Sequence, residues 1–86
     1  MSFAALEKNT ARRLGETDLY LVTGGSNAMG LPVWHYVRVP SARRAAFMRA
    51  MVSGDIVLTQ FGEIVLAGYG VAPPAHIEQK MRADKK

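Results

Sequence analysis

A seven-residue run, Val33-Trp34-His35-Tyr36-Val37-Arg38-Val39, passes straight into Pro40-Ser41 and then the alanine-rich stretch Ala42–Val52. β-Branched and aromatic residues favour a pleated, half-buried backbone, so the run predicts a strand. Side chains alternate along a strand, placing Val33, His35, Val37 and Val39 on one face and Trp34, Tyr36 and Arg38 on the other. Proline ends the strand, and Ser41 is a good N-cap for a helix. On a helical wheel, Ala45, Phe47, Met48, Met51 and Val52 form one apolar arc, with Arg43 and Arg49 outside it and Arg44 at its edge. Gly54 is the natural residue to stop this helix. Burial of Phe47, Met48, Met51 and Val52 would contribute roughly 6–12 kcal/mol before entropy is subtracted. A strand feeding a central helix is therefore the organising unit.

The neighbouring segments extend that unit. Ser2 can cap a helix from about Phe3 to Leu14, with Gly15 as its stop, although its apolar stripe is thin. Asp18–Thr23 reads as a strand with Leu19 and Leu21 on one face and Tyr20 and Val22 on the other. Gly24–Pro32 holds three glycines, an Asn and a Pro, and predicts a long hairpin loop. Beyond Gly54, Asp55–Leu58 and Glu63–Leu66 nearly repeat each other. They read either as a second hairpin or as an irregular turn followed by one strand over Glu63–Tyr69. Gly68 and Gly70 suggest a bend or a close approach at that strand's end. Pro73-Pro74 stops the sheet, and Ala75–Ala83 reads as a short helix with Ile77 and Met81 one turn apart.

The expected fold is α+β, in the order α-β-β-α-β(β)-α. It has a mostly antiparallel sheet of three or four strands, one central helix packed on one face, and short terminal helices. At 86 residues the chain makes a single domain, 1–86. Residues 1–15 form a loosely attached N-terminal helix, and 75–86 a C-terminal helix and basic tail. A chain this short buries only about 60% of its unfolded surface. With no cysteine, neither disulfides nor thiolate metal sites can add stability, which leaves oligomerisation as a common route. No apolar run has the length to span a bilayer, and residues 1–9 lack a signal-peptide core, so a cytoplasmic location is expected.

Choosing the more aliphatic face of each strand as the helix-covered one selects Leu19, Leu21, Val33, Val37, Val39, Ile64 and Leu66. The opposite face then gathers Tyr20, Val22, Trp34, Tyr36, Arg38, Val65 and Tyr69, including all three tyrosines and the single tryptophan. Tyr, Trp and Arg are enriched at binding hot spots, so Tyr20, Trp34, Tyr36, Arg38 and Tyr69 are the candidate interaction face. The expected function is a small non-enzymatic module that self-associates or binds a protein partner through this face. The alternative is single-stranded nucleic acid stacked on the same rings, with a basic patch of Arg43, Arg44 and Arg49 and the net charge of +4 meeting phosphates. A third reading has the chain's own terminal helices cover the face.

Thr23-Gly24-Gly25-Ser26-Asn27-Ala28-Met29-Gly30 resembles the cofactor loop of short-chain dehydrogenases, Thr-Gly-x-x-x-(Ala/Gly)-x-Gly. The resemblance implies a loop that follows a strand and opens a helix at the pyrophosphate. Here Pro32 and the β-favouring run come next, and no Tyr-x-x-x-Lys occurs, so a glycine-rich hairpin loop without a cofactor is expected. The two histidines, His35 and His76, are far apart and lack flanking carboxylates, so neither a metal set nor an acid–base pair is expected. His35 is expected to be a hydrogen-bonded structural histidine and His76 to be solvated. Ser26, Ser41 and Ser53 have no evident base beside them. The residues therefore argue against an enzyme.

Overall fold

Three successive antiparallel pairings build the sheet. In the computed structural model, which describes residues 10–54 and 56–83, β1 (Thr10–Arg13) pairs with β2 (Leu19–Ser26). Strand β2 pairs with β3 (Pro32–Arg38), and β3 with β4 (Glu63–Tyr69), giving the order β1-β2-β3-β4. Helix α1 (Arg44–Ser53) connects β3 to β4, and α2 (Ala75–Ala83) follows β4. The fold is α+β, with a four-stranded antiparallel sheet and a helix on each face.

The register fixes the two faces, because residues opposite each other in an antiparallel pair point to the same side. Tyr20 lies opposite Val37 and Val22 opposite His35, so these four share one side. There Phe47 and Met51 of α1 pack on Tyr20, Val22, Val37 and Val39, with Ala11, Ile56, Leu58 and Phe61 at the margin. The Phe47 ring meets Tyr20 and Phe61 edge-on, at centroid distances of 5.2 and 6.1 Å. On the other side Leu14, Leu19, Leu21, Trp34 and Tyr36 form a second core, closed by Val65, Leu66 and, from α2, Ile77 and Met81.

Several sequence expectations are corrected here. Residues 10–13 of the anticipated N-terminal helix are strand β1. Thr10 favours the extended form, Ala11 reaches the α1-side core, and Gly15 (φ 57°) turns the chain back into β2 instead of ending a helix. The remainder of that expected helix, residues 1–9, lies outside the described residues. Ser41 makes no side-chain cap; a short 3₁₀ turn over Ser41–Arg43 precedes α1. Gly54 does close α1 in the left-handed conformation, its N–H donating to the carbonyls of Ala50 and Met51. The apolar arc of α1 is buried only along Phe47 and Met51, while Met48 and Val52 face outward at 38% and 88% exposure. Residues 56–61 hold a 3₁₀ turn at Leu58–Gln60, so the irregular-turn reading applies and Glu63–Tyr69 is the strand.

The resemblance to a dehydrogenase cofactor loop also resolves. Strand β2 runs through Ser26, and the segment before Pro32 is a hairpin loop, not the start of a helix. Asn27 organises it: its Oδ1 accepts from the N–H groups of Met29 (2.9 Å) and Leu31 (3.0 Å).

Candidate interaction surface

The aromatic residues do not share a face. Tyr20 is buried at 3% exposure beneath α1. Trp34 and Tyr36 lie on the opposite side, at 6% and 0%, beneath α2, where their rings meet edge-on at 5.7 Å. Tyr69 stands opposite Val33, which places it on the α1 side, and it is 68% exposed. The single aromatic face expected from sequence does not form, because a helix packs on each face of the sheet. An apolar alternation then carries no polar face to orient it, and aliphatic against aromatic is not a distinction between inside and outside.

Arg38, at the end of β3, pairs with Glu63 at 3.4 Å. Of the three arginines expected as a basic patch, Arg44 is half-buried and bonded to Asp18 (3.3 Å), and Arg43 approaches the Gln60 carbonyl at 3.5 Å. Arg49 is exposed on α1. Arg12 and Arg82 converge on Glu78, with Arg12 bidentate at 2.7 and 3.1 Å. The hydrogen bond from Arg12 is the main cause that draws the Glu78 carboxyl below its ordinary range. This ion-pair group ties β1 to α2 and so helps hold the helix over Trp34 and Tyr36.

His35 is half-buried between Val22 and Ala67 on the α1 side, and burial lowers its pKa. Its ring makes no hydrogen bond among the described residues. His76 is exposed at the start of α2, as expected. Among the described residues no group of three or more His, Asp or Glu side chains could hold a metal ion. A cleft of about 370 Å³ is lined by Leu14, Gly15, Glu16, Thr17 and Arg82, where the Thr17 hydroxyl donates to the Leu14 carbonyl at 2.7 Å. No helix of the described residues is long and apolar enough to cross a membrane.

Among the described residues, the β4 side of the sheet is left open. Helix α1 packs on Tyr20 and Val22 of β2, Val37 of β3 and, at the margin, Ala11 of β1, and this cluster contains no residue of β4. Val33 and His35 are half-buried there, and Ile64, Ala67 and Tyr69 are exposed. Strand β4 is also the sheet's edge, and no described residue pairs with its outer side. The hydrogen-bond phase shows which groups that edge presents. The N–H of Gly70 donates to the Pro32 carbonyl (2.8 Å), so Gly70, Gly68 and Leu66 turn their backbone groups toward β3. The N–H and C=O of Ala67 and Tyr69 consequently point away from the sheet.

This edge was not singled out in sequence. The signal for it was the near absence of charge and proline in Glu63-Ile64-Val65-Leu66-Ala67-Gly68-Tyr69, the features by which edge strands are usually blunted. A bulge at Val65 is the one such device, and it interrupts only the first half of the strand. The chain matches no known family model, no curated protein and no solved structure.

Proposed function

We propose that this chain is a small non-enzymatic interaction module, self-associating or binding a protein partner through the β3–β4 half of its sheet. The observation that carries the reading is Tyr69. This aromatic residue is 68% exposed, stands opposite Val33, and lies on the open edge strand beside Ala67. Elsewhere the fold buries its large rings: Tyr20, Trp34, Tyr36 and Phe47 are all within the two cores. An exposed tyrosine on an edge strand whose one charge, Glu63, lies at its far end has the composition of a binding hot spot. Small domains also gain stability from association that their own cores supply only narrowly.

Single-stranded nucleic acid, the alternative, needs rings in solvent on which bases stack. Trp34 and Tyr36 are beneath α2, leaving Tyr69 as the one exposed Trp or Tyr, so the protein reading is better supported. Light scattering of the full chain over a range of concentrations tests it. The reading expects mass above the monomer's 9.4 kDa that Tyr69→Lys lowers. A monomeric mass throughout, with oligonucleotide shifting the Tyr69 ring resonances, would favour the alternative.

A further inference from the structure

Resting on that reading, we infer that the occupant of the open edge is a second copy of this chain, whose β4 adds antiparallel to β4 to make one continuous eight-stranded sheet. The edge is self-complementary. Beyond the bulge at Val65, the outward-facing backbone groups of β4 belong to Ala67 and Tyr69, spaced by one. A two-fold axis at Gly68 sets Ala67 opposite Tyr69 of the copy and Tyr69 opposite Ala67 of the copy. Each pair exchanges both of its N–H···O=C bonds, so every outward-facing group of the two residues gains a partner.

The side chains fit the same register. Ala67 and Tyr69 lie on the α1 side, so each large exposed ring crosses to the small side chain opposite it, a large-on-small pairing on one face. Charge does not oppose the approach, although the chain carries +4 overall. The only ionisable side chain with a formal charge on β4 is Glu63. Antiparallel pairing about Gly68 sends Glu63 and its counterpart to opposite ends of the joint. The bulge at Val65 falls outside the four bonds. Isologous contacts of this kind close on themselves and yield a dimer, not a fibre.

The test turns on the direction of one N–H. Proline at 67 removes a donor that points away from β3, a position where edge strands tolerate proline. The unaltered chain should move from 9.4 kDa toward twice that mass with rising concentration. Ala67→Pro should stay monomeric over the same range and keep the unaltered chain's far-ultraviolet circular dichroism, while Ala67→Thr, which retains the N–H, should still associate. If Ala67→Pro associates as the unaltered chain does, edge pairing is overturned; if Tyr69→Lys nonetheless abolishes the association, the broader reading survives as contact through the sheet face. A monomeric unaltered chain at every concentration overturns the second-copy inference and leaves only a different protein as partner for the edge. Should Ala67→Pro fail to fold, mixed labelled and unlabelled unaltered chain decides. Half-filtered NMR should show a Gly68 Hα contact between copies, and a dimer lacking that contact contradicts the register.

Discussion

The indole of Trp34 lies directly over Gly68. A Cβ built on Gly68 would stand 2.3 Å from Trp34 Cζ2 and 2.6 Å from Cη2. The two residues are cross-strand neighbours on β3 and β4, and Gly68 has no left-handed backbone angle to justify a glycine. The requirement is one of space. Trp34 is only 6% exposed, so its ring has little room to yield. We expect Gly68→Ala to destabilise the fold by about 1–3 kcal/mol through overpacking, read as a lower urea midpoint at unchanged slope. A neutral result would mean that the ring does not rest on Gly68.

Helix α1 gives a contrast between two apolar residues on one element. Phe47 is fully buried and touches Tyr20 and Phe61, whereas Val52 is 88% exposed. Phe47→Ala should cost about 3–5 kcal/mol. Val52→Ala should stay within about 0.5 kcal/mol. Chemical denaturation of the pair checks both; equal losses would contradict the packing of α1.

The Tyr36 hydroxyl is buried and has no hydrogen-bond partner among the described residues, and burial raises its pKa. A hydroxyl removed from water without compensation lowers stability, so deleting it relieves a cost. Tyr36→Phe should leave stability unchanged or raise it by about 1 kcal/mol. Tyr36→Ala, which also empties the α2-side core, should lose about 3–5 kcal/mol. A clear loss of stability in Tyr36→Phe would show that the hydroxyl is satisfied.

Two groups make stability fall on the acid side, in separate steps. His35 has its pKa lowered by burial from the ordinary 6.5. As pH drops through 6.5 the unfolded chain takes up a proton before the folded one does, so stability declines until the folded pKa is reached. Glu78, lowered from 4.5 chiefly by the Arg12 hydrogen bond, acts the same way in a more acidic window. Its ion pairs stabilise above 4.5, and that contribution is lost as pH falls through the folded value. The Glu78 step should be about 1 kcal/mol or less, since Arg12 is half-exposed. Denaturation against pH should lose the first step in His35→Gln and the second in Glu78→Gln.

Much of the architecture was legible in the chain, and the reason it stopped short is specific. Strands β3 and β4, helix α1 with its Gly54 stop, and the Ala75–Ala83 helix all follow, within a residue or two of their bounds, from local chemistry: β-branching, proline, glycine and helical periodicity. Face assignment does not follow, because it depends on register. The register of β2 on β3 shifts between Thr23 and Ser26, and that of β3 on β4 between Tyr36 and Val37. A one-residue slip exchanges the faces. Tyr20 parts from Trp34 and Tyr36 because Thr23 and Leu21 stand opposite those two rings, and the extra residue Val65 on β4 sets Tyr69 on the α1 side. The same dependence hid the edge: which backbone groups of β4 face outward is decided by the hydrogen-bond phase, to which side-chain sequence gives no access.

We place the contact between this chain and a second copy of itself at the β4 edge. Residue-resolved amide hydrogen exchange tests it directly, at dilute and at concentrated protein. The amides of Leu66 and Gly68 should be protected in both samples, since they bond to β3. Those of Ala67 and Tyr69 should exchange freely when dilute and gain protection as concentration rises. Free exchange of Ala67 and Tyr69 at every concentration, beside protected Leu66 and Gly68, would rule out pairing at this edge.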